Sequence, residues 1–178
     1  MEKLSSEQSE TSDRVLEFDL SAELRHGIAV SNLAYALSKE LGLPHEQCYD
    51  LAIAGMLHDI GKIYELSQFP INEYTDDGQL LGHIFIGAEM VHDAAAKIEG
   101  FPAELESIIK HCILAHHGEF EYGSPELPKT IEAFILHCAD NMDAKVKAIE
   151  EAIDGDSTQG RWVGYNKMMQ RNIRKTEY

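Results

Sequence analysis

The chain has 178 residues and is 44% hydrophobic, which is enough for one domain with a sizeable core. Its formal net charge of −16 argues against a general nucleic-acid binder, because phosphate contacts need Lys and Arg. No stretch approaches the roughly 20 apolar residues of a membrane span, and the polar, acidic start from Met1 to Asp13 has no apolar core of a signal peptide.

The expected location is therefore cytoplasmic, with no membrane partner. Cys48, Cys112 and Cys138 lie far apart among apolar neighbours and form no CxxC pair, so they read as reduced core thiols. The charge is uneven. Arg161, Lys167, Arg171, Arg174 and Lys175 face only Glu177 in the last 18 residues, so 161–178 reads as a basic C-terminal segment. It is expected to be a solvated tail, with a phosphate-bearing ligand or an acidic neighbour as the alternative.

In chain order, residues 1–13 read as disordered, and the whole of 1–20 as a loosely packed N-terminal segment. From Ser21 the pattern is helical, and His26 shares the phase of the apolar Val30, Leu33 and Leu37. Gly42 and Pro44 separate this helix from a second, whose run Leu51 to Leu57 is apolar on nearly all sides and predicts a central, buried element. Phe69 to Gln79, with Pro70 and Asp76-Asp77-Gly78, reads as loop and turn.

A third helix is predicted from Leu80 or Leu81, with His83, Gly87, Met90 and Ala94 on one face. A fourth, Ala103 to His117, aligns Leu105, Ile109, Cys112 and His116. The fifth runs from about Lys129 to Ile153, with Ile131, Ile135, Cys138, Met142 and Val146 as its main apolar stripe and Asp140 on a neighbouring face. Strand-like alternation is absent. The fold class is all-α, a bundle of five or six helices in one domain spanning about 21–160.

The sequence turns on His58-Asp59-Ile60-Gly61-Lys62. Two polar side chains at the end of a buried apolar run are costly unless something pairs with them, and a metal ion would do so. Further inward or helix-end candidates are His26, His83, His116, His117 and Asp140. Singly, each is more often a core histidine or a helix cap. Jointly, they suggest a metal site assembled from facing helices, and imidazole with carboxylate suits Mn, Fe, Co, Ni or Zn.

His26, His58-Asp59 and Asp140, in this order and spacing, resemble the H…HD…D signature of the HD superfamily of metal-dependent phosphohydrolases. The HDIGK string is the most specific part, and His83 with His116-His117 matches members that bind two metals. Finer strings, Leu80-Leu81-Gly82-His83-Ile84, His116-His117-Gly118, Tyr122-Gly123-Ser124-Pro125 and Leu136 to Ala144, resemble the HD domain of a bacterial 3′→5′ exoribonuclease family. Those enzymes carry an N-terminal OB-fold that grips RNA; Ser21 leaves no room for one before it, so processive RNA degradation is not expected. The cyclic-di-GMP phosphodiesterase branch, which expects an acidic residue after the paired histidines and a later Gly-Tyr-Pro, fits less well.

The resemblance implies one or two divalent metal ions, the first held by His26, His58, Asp59 and Asp140. Asp59 would bridge to a second ion completed by His83 and His116, with His117 a ligand or its neighbour. Asp59 and Lys62 are the expected catalytic residues, Lys62 either facing the substrate phosphate or salt-bridged to Asp59. His137 would orient Asp140 or serve structure; His111 reads as structural, and His45 and His92 as surface residues. Trp162 and Tyr165 are expected to pack the tail on the domain rather than stack on a base.

The expected function is hydrolysis of a phosphomonoester or phosphodiester, of a nucleotide or short RNA, by metal-activated hydroxide. A dinuclear-iron oxygenase of the same fold and a non-catalytic regulatory module are the alternatives. A homo-oligomer is compatible with all three.

Overall fold

Helix α1 (Leu20–Glu40) buries Val30, Ala34 and Ser38, one residue per turn, against α2 (His45–Leu57). The two helices approach closely because α2 presents Gly55 there: a Cβ would lie 2.9 Å from the Ser31 Cα. Between them, Gly42 takes a positive φ of 77° and Pro44 leads into α2. The computed structural model describes residues 20–67 and 73–176. The expectations for residues 1–13 and for the loop at Phe69-Pro70 lie outside the described residues.

After α2 the chain turns at Gly61 into a short helix, α3 (Lys62–Glu65), which the sequence pattern did not suggest. Helix α4 (Asp76–Ala95) begins earlier than its apolar residues imply. The Thr75 side chain accepts a hydrogen bond from the Gly78 N–H at 2.9 Å, and Asp76 and Asp77 suit the positive end of a helix dipole. Asp76-Asp77-Gly78 is thus the first turn of a helix, not a loop. The helix breaks at Gly82 (φ 74°, ψ 158°) and restarts at His83, near the expected start at Leu80 or Leu81.

Helix α5 (Ala103–Ala115) ends two residues short of the expected His117, and Gly118 (φ 81°) turns the chain away. The loop that follows contains one short 3₁₀ turn, Phe120–Tyr122. Helix α6 (Ile131–Asp154) corrects the predicted stripe in part: Ile135 is buried and Cys138 partly so, but Ile131, Met142 and Val146 are exposed, and Ala133, Leu136 and Ala139 are buried instead. The inward side therefore carries Ile135 and Leu136 with two alanines, and Asp140 and Asp143 are partly buried beside them. Likewise α2 is not buried all round, since Ile53 and Met56 face solvent.

One core cluster joins α1, α2, α5 and α6 through Val30, Leu51, Cys112 and Leu136; a second joins α4 and α5 through Ile84, Val91, Ile109 and Ile113. Cys48 and Cys112 are buried, Cys138 is partly so, and none is bridged. The fold is an all-α bundle of five helices of 13 to 24 residues.

The expected absence of strands is corrected at the C-terminal end, where β1 (Trp162–Asn166) and β2 (Arg171–Arg174) pair antiparallel and rest on α6. A bulge between Trp162 and Gly164 interrupts the alternation that would have announced them. Met169 and Ile173 are the residues buried there, and Trp162 and Tyr165 stay exposed, against expectation. Lys175 pairs with Asp156 at 2.7 Å.

Gly61 has an ordinary φ of −63°, so its role is space and not conformation. A Cβ there would overlap the His83 carbonyl and meet the Gly87 N at 2.7 Å. Gly61→Ala should therefore push α4 away from the α2–α3 corner and cost about 3 kcal/mol, the upper end for overpacking. Chemical denaturation of the variant tests this; an unchanged midpoint would contradict it.

Candidate metal centre

Helices α2 and α5 are each capped at the C-terminal end by a buried histidine, His58 at 0% and His116 at 1% exposure. In each, the last turn fixes the ring. The His58 Nδ1–H donates to the Gly55 carbonyl at 2.7 Å, and the His116 Nδ1–H to the Ile113 carbonyl at 2.6 Å. His117, freed from the helix by Gly118, donates from Nδ1 to the Tyr122 carbonyl at 2.9 Å. A carbonyl only accepts, so in each neutral ring the proton is on Nδ1 and Nε2 is a bare lone pair.

Two carboxylates do the same for the remaining rings. His26 Nδ1 donates to Asp143 Oδ2 at 2.6 Å, and His83 Nδ1 to Glu65 Oε1 at 3.1 Å. The same Glu65 oxygen accepts the His83 backbone N–H at 3.0 Å. That N–H is available because the break at Gly82 makes His83 the start of a new helical run with no carbonyl behind it. Glu65 and Asp143 escaped the sequence reading. Asp143 had a signal, being one turn after Asp140 on the same face; Glu65 reaches a partner 18 residues away and had none.

All five Nε2 atoms consequently face inward onto Asp59 and Asp140. His26 Nε2 lies 3.1 Å from Asp140 Oδ1, 3.7 Å from Asp59 Oδ2 and 3.2 Å from His58 Nε2. Asp59 divides its oxygens. Oδ2 faces His58 (3.3 Å) and His26, and Oδ1 faces His83 (3.4 Å) and His116 (3.8 Å).

Three overlapping groups result, His26-His58-Asp140, His58-Asp59-His116 and His83-His116-His117, each with ligand atoms within 4.8 Å of one another. The structure thus brings together all seven residues singled out as ligands. Imidazole nitrogens and carboxylates of facing helices converging on one centre suit a metal cation. His83 Nε2, buried and without a hydrogen-bond partner, makes the same point alone.

The other candidates lie around this centre. Lys62 Nζ bonds Asp59 Oδ2 at 2.8 Å and Glu23 Oε2 at 3.1 Å, the salt-bridged arrangement. His137 contacts no ligand side chain here. Its Nδ1–H donates to the His116 carbonyl at 2.8 Å, and its ring fills the space above Gly118, so it holds the end of α5 in place. His111 accepts from the Lys129 N–H, His45 packs on Tyr49 and the exposed His92 pairs with Glu106, as surface or structural residues do.

A family model for the HD domain matches residues 24–145. The chain belongs to the HD domain family. Curated relatives include the 3′-5′ exoribonuclease YhaM of Bacillus velezensis, 42% identical over 130 residues, and that of Bacillus subtilis strain 168, 41% identical over 130 residues. These alignments cover 72% of this chain but only 40% of each relative, so the chain spans less than half their length.

Among solved structures, the HD domain of the phosphodiesterase PgpH from L. monocytogenes, alone and in complex with cyclic-di-AMP, matches with a TM-score of 0.51 at 22% identity. That match covers 72% of this chain and 69% of the first of those chains, and it shows a shared fold. HD domains bind divalent metals, and the His/Asp groups found here suit such ions. Among the described residues no helix is long and apolar enough to cross a membrane.

The electrostatics of the HD pair follow from burial competing with charge. Burial alone would depress His58, but Asp140 and Asp59 outweigh it and push the imidazole up to about 10. Burial also opposes ionisation of Asp59 and Asp140, yet His58, with Lys62 at Asp59 and His26 at Asp140, holds both carboxyls well below their usual range. His116, buried and beside the His58 charge, is pushed down to about 3 and keeps its lone pair. Without a metal ion, then, a proton on His58 balances the carboxylates.

Because Glu65 fixes both the ring and the backbone of His83, Glu65→Gln should weaken metal binding by roughly tenfold, the lower end of the cost of losing such an orienting partner. Titration calorimetry with Mn²⁺ reads the effect, and circular dichroism checks the fold. An unchanged affinity would show that Glu65 serves stability alone.

Proposed function

We propose that this HD domain is a metal-dependent phosphohydrolase acting on the phosphoester of a nucleotide or short RNA. The observation that carries the reading is the inward convergence on Asp59 and Asp140 of five Nε2 atoms, each on a ring anchored through Nδ1. His26, His58, Asp59 and Asp140 would hold one divalent ion. Asp59, His83 and His116, with His117, would hold a second. When bound, such ions lower the pKa of coordinated water and neutralise phosphoryl charge. Mn, Fe, Co, Ni and Zn all suit these ligands.

The chain's own groups do the positioning. Asp59 presents one oxygen to each half of the cluster, as a bridging carboxylate would. Lys62, whose charge is sustained against burial by Asp59 and Glu23, stands on the Oδ2 side, where exchanging Glu23 for a phosphate oxygen would bring the substrate to the cluster. His137 and Gly118 hold the His116-His117 corner so that two adjacent histidines face one centre. The exoribonuclease names of the relatives favour an RNA or nucleotide substrate.

Purified protein supplied with Mn²⁺ should release p-nitrophenol from bis-p-nitrophenyl phosphate, and Asp59→Ala should lower that rate at least about a hundredfold, more than the loss of an orienting partner costs. Equal rates in the variant would refute the site. The same preparations, given short RNA and mononucleotides, report which ester is cleaved. Dioxygen consumption by an iron-loaded form would instead support oxygenase chemistry.

Metal uptake must also expel the His58 proton. Since His58 in the metal-free cluster holds its proton up to about 10, well above the ordinary histidine value, affinity should rise with pH by about tenfold per unit from pH 7 to 9. An affinity that levels off above pH 7 would show that His58 enters the site already neutral.

A further inference from the structure

The cluster is not closed on all sides. Against its His83–His117 flank lies a cleft of about 250 Å³, walled by Leu81, Phe85, Tyr122 and Pro125, with His83 and His117 as its floor. Leu81 precedes the kink at Gly82, Phe85 lies in the first turn after it, and the loop after Gly118 brings up Tyr122 and Pro125. Leu81, Phe85 and Tyr122 are each about half exposed or more, so the walls present ring and aliphatic faces to solvent.

Three features decide what the cleft can take. Its lining is mostly apolar and contains no Lys or Arg, so it is not a second phosphate site. Its volume falls below the roughly 300–1,000 Å³ of pockets that enclose drug-sized ligands, so it suits one planar ring system and not a folded chain. Finally, it shares His83 and His117 with the cluster, while Lys62 stands on the other oxygen of Asp59. A molecule with its phosphate at the cluster would place its neighbouring group here.

We propose that this cleft is a base-stacking subsite, in which Phe85 and Tyr122 receive the nucleobase next to the ester held at the cluster. The inference rests on the phosphohydrolase reading above for its substrate but on the cleft alone for its ring preference. Stacking on aromatic faces tolerates every base, because each has a π-face, and the lining offers no charged side chain other than Glu65, already engaged with His83. The subsite therefore reads the presence of a base and not its identity.

Two measurements test it separately from the reaction. Saturation-transfer NMR with adenosine on the metal-free full chain should saturate the purine protons more than the ribose protons. Phe85→Ala should lower that transfer at least fivefold, and Phe85→Tyr should preserve it. With Mn²⁺, kcat/KM for thymidine 5′-(p-nitrophenyl phosphate) relative to methyl p-nitrophenyl phosphate should be about tenfold higher in the wild type than in Phe85→Ala.

No transfer to adenosine together with an unchanged ratio in Phe85→Ala would overturn the subsite, even if both esters are hydrolysed. Equal transfer to adenosine and to cyclohexanol, which has no π-face, would overturn it as well, by showing a generic apolar cleft. If neither ester is hydrolysed but adenosine transfer depends on Phe85, the phosphohydrolase reading fails and the ring-binding cleft stands.

Discussion

Every histidine of the cluster gives its Nδ1 proton to an acceptor outside the cluster, and the rest of the site depends on this. Three acceptors are backbone carbonyls one short turn or loop away, and two are buried or half-buried carboxylates. None of them can return a proton. The Nε2 atoms are therefore fixed in direction before any ion arrives, which is the preorganisation that tight, geometrically selective metal binding requires. A cluster of this kind is unfavourable by itself, since five lone pairs and two carboxylates repel. The folded chain contains that repulsion in two ways: protons on His58, and the Lys62 ammonium beside Asp59.

The fold serves this arrangement by ending helices at the cluster. His58 and His116 are the C-caps of α2 and α5, where a side chain can leave the apolar packing and the last turn still offers a carbonyl to Nδ1. His83 uses the opposite device, a helix restart after Gly82 that leaves its N–H for Glu65. Of the seven, Asp140 and His26 project from helix interiors, next to the buried small residues Ala139 on α6 and Gly27 on α1. Glycines at 55, 61 and 118 mark the places where backbone or ring comes too near for a side chain.

Much of this was legible in the sequence because the informative residues interrupt strong patterns. His58-Asp59 ends an apolar run, His26 shares the phase of Val30, and Gly118 follows a histidine pair that only a broken helix can aim at one point. What was illegible has a physical cause in each case. The buried face of α6 mixes Ile135 and Leu136 with Ala133 and Ala139, so counting large apolar residues found Ile135 but extended the stripe through Ile131, Met142 and Val146, which are exposed. The start of α4 depends on the Thr75 cap and not on hydrophobic phase. The hairpin strands are five and four residues long and bulged, too short to show a period. Glu65 acts across 18 residues from a short helix that follows Gly61, where the chain passes too close to α4 for a side chain.

The central claim is about where protons sit, so it is tested most directly by long-range ¹H–¹⁵N spectra of the histidine rings, recorded at pH 7.5 before and after Zn²⁺ is added. The metal-free protein should show His116 and His117 as neutral rings protonated at Nδ1, and His58 as a doubly protonated imidazolium. Zn²⁺ should shift the Nε2 resonances of His26, His58, His83 and His116 and remove the second proton of His58. Rings protonated at Nε2, or spectra that Zn²⁺ leaves unchanged, would contradict the account.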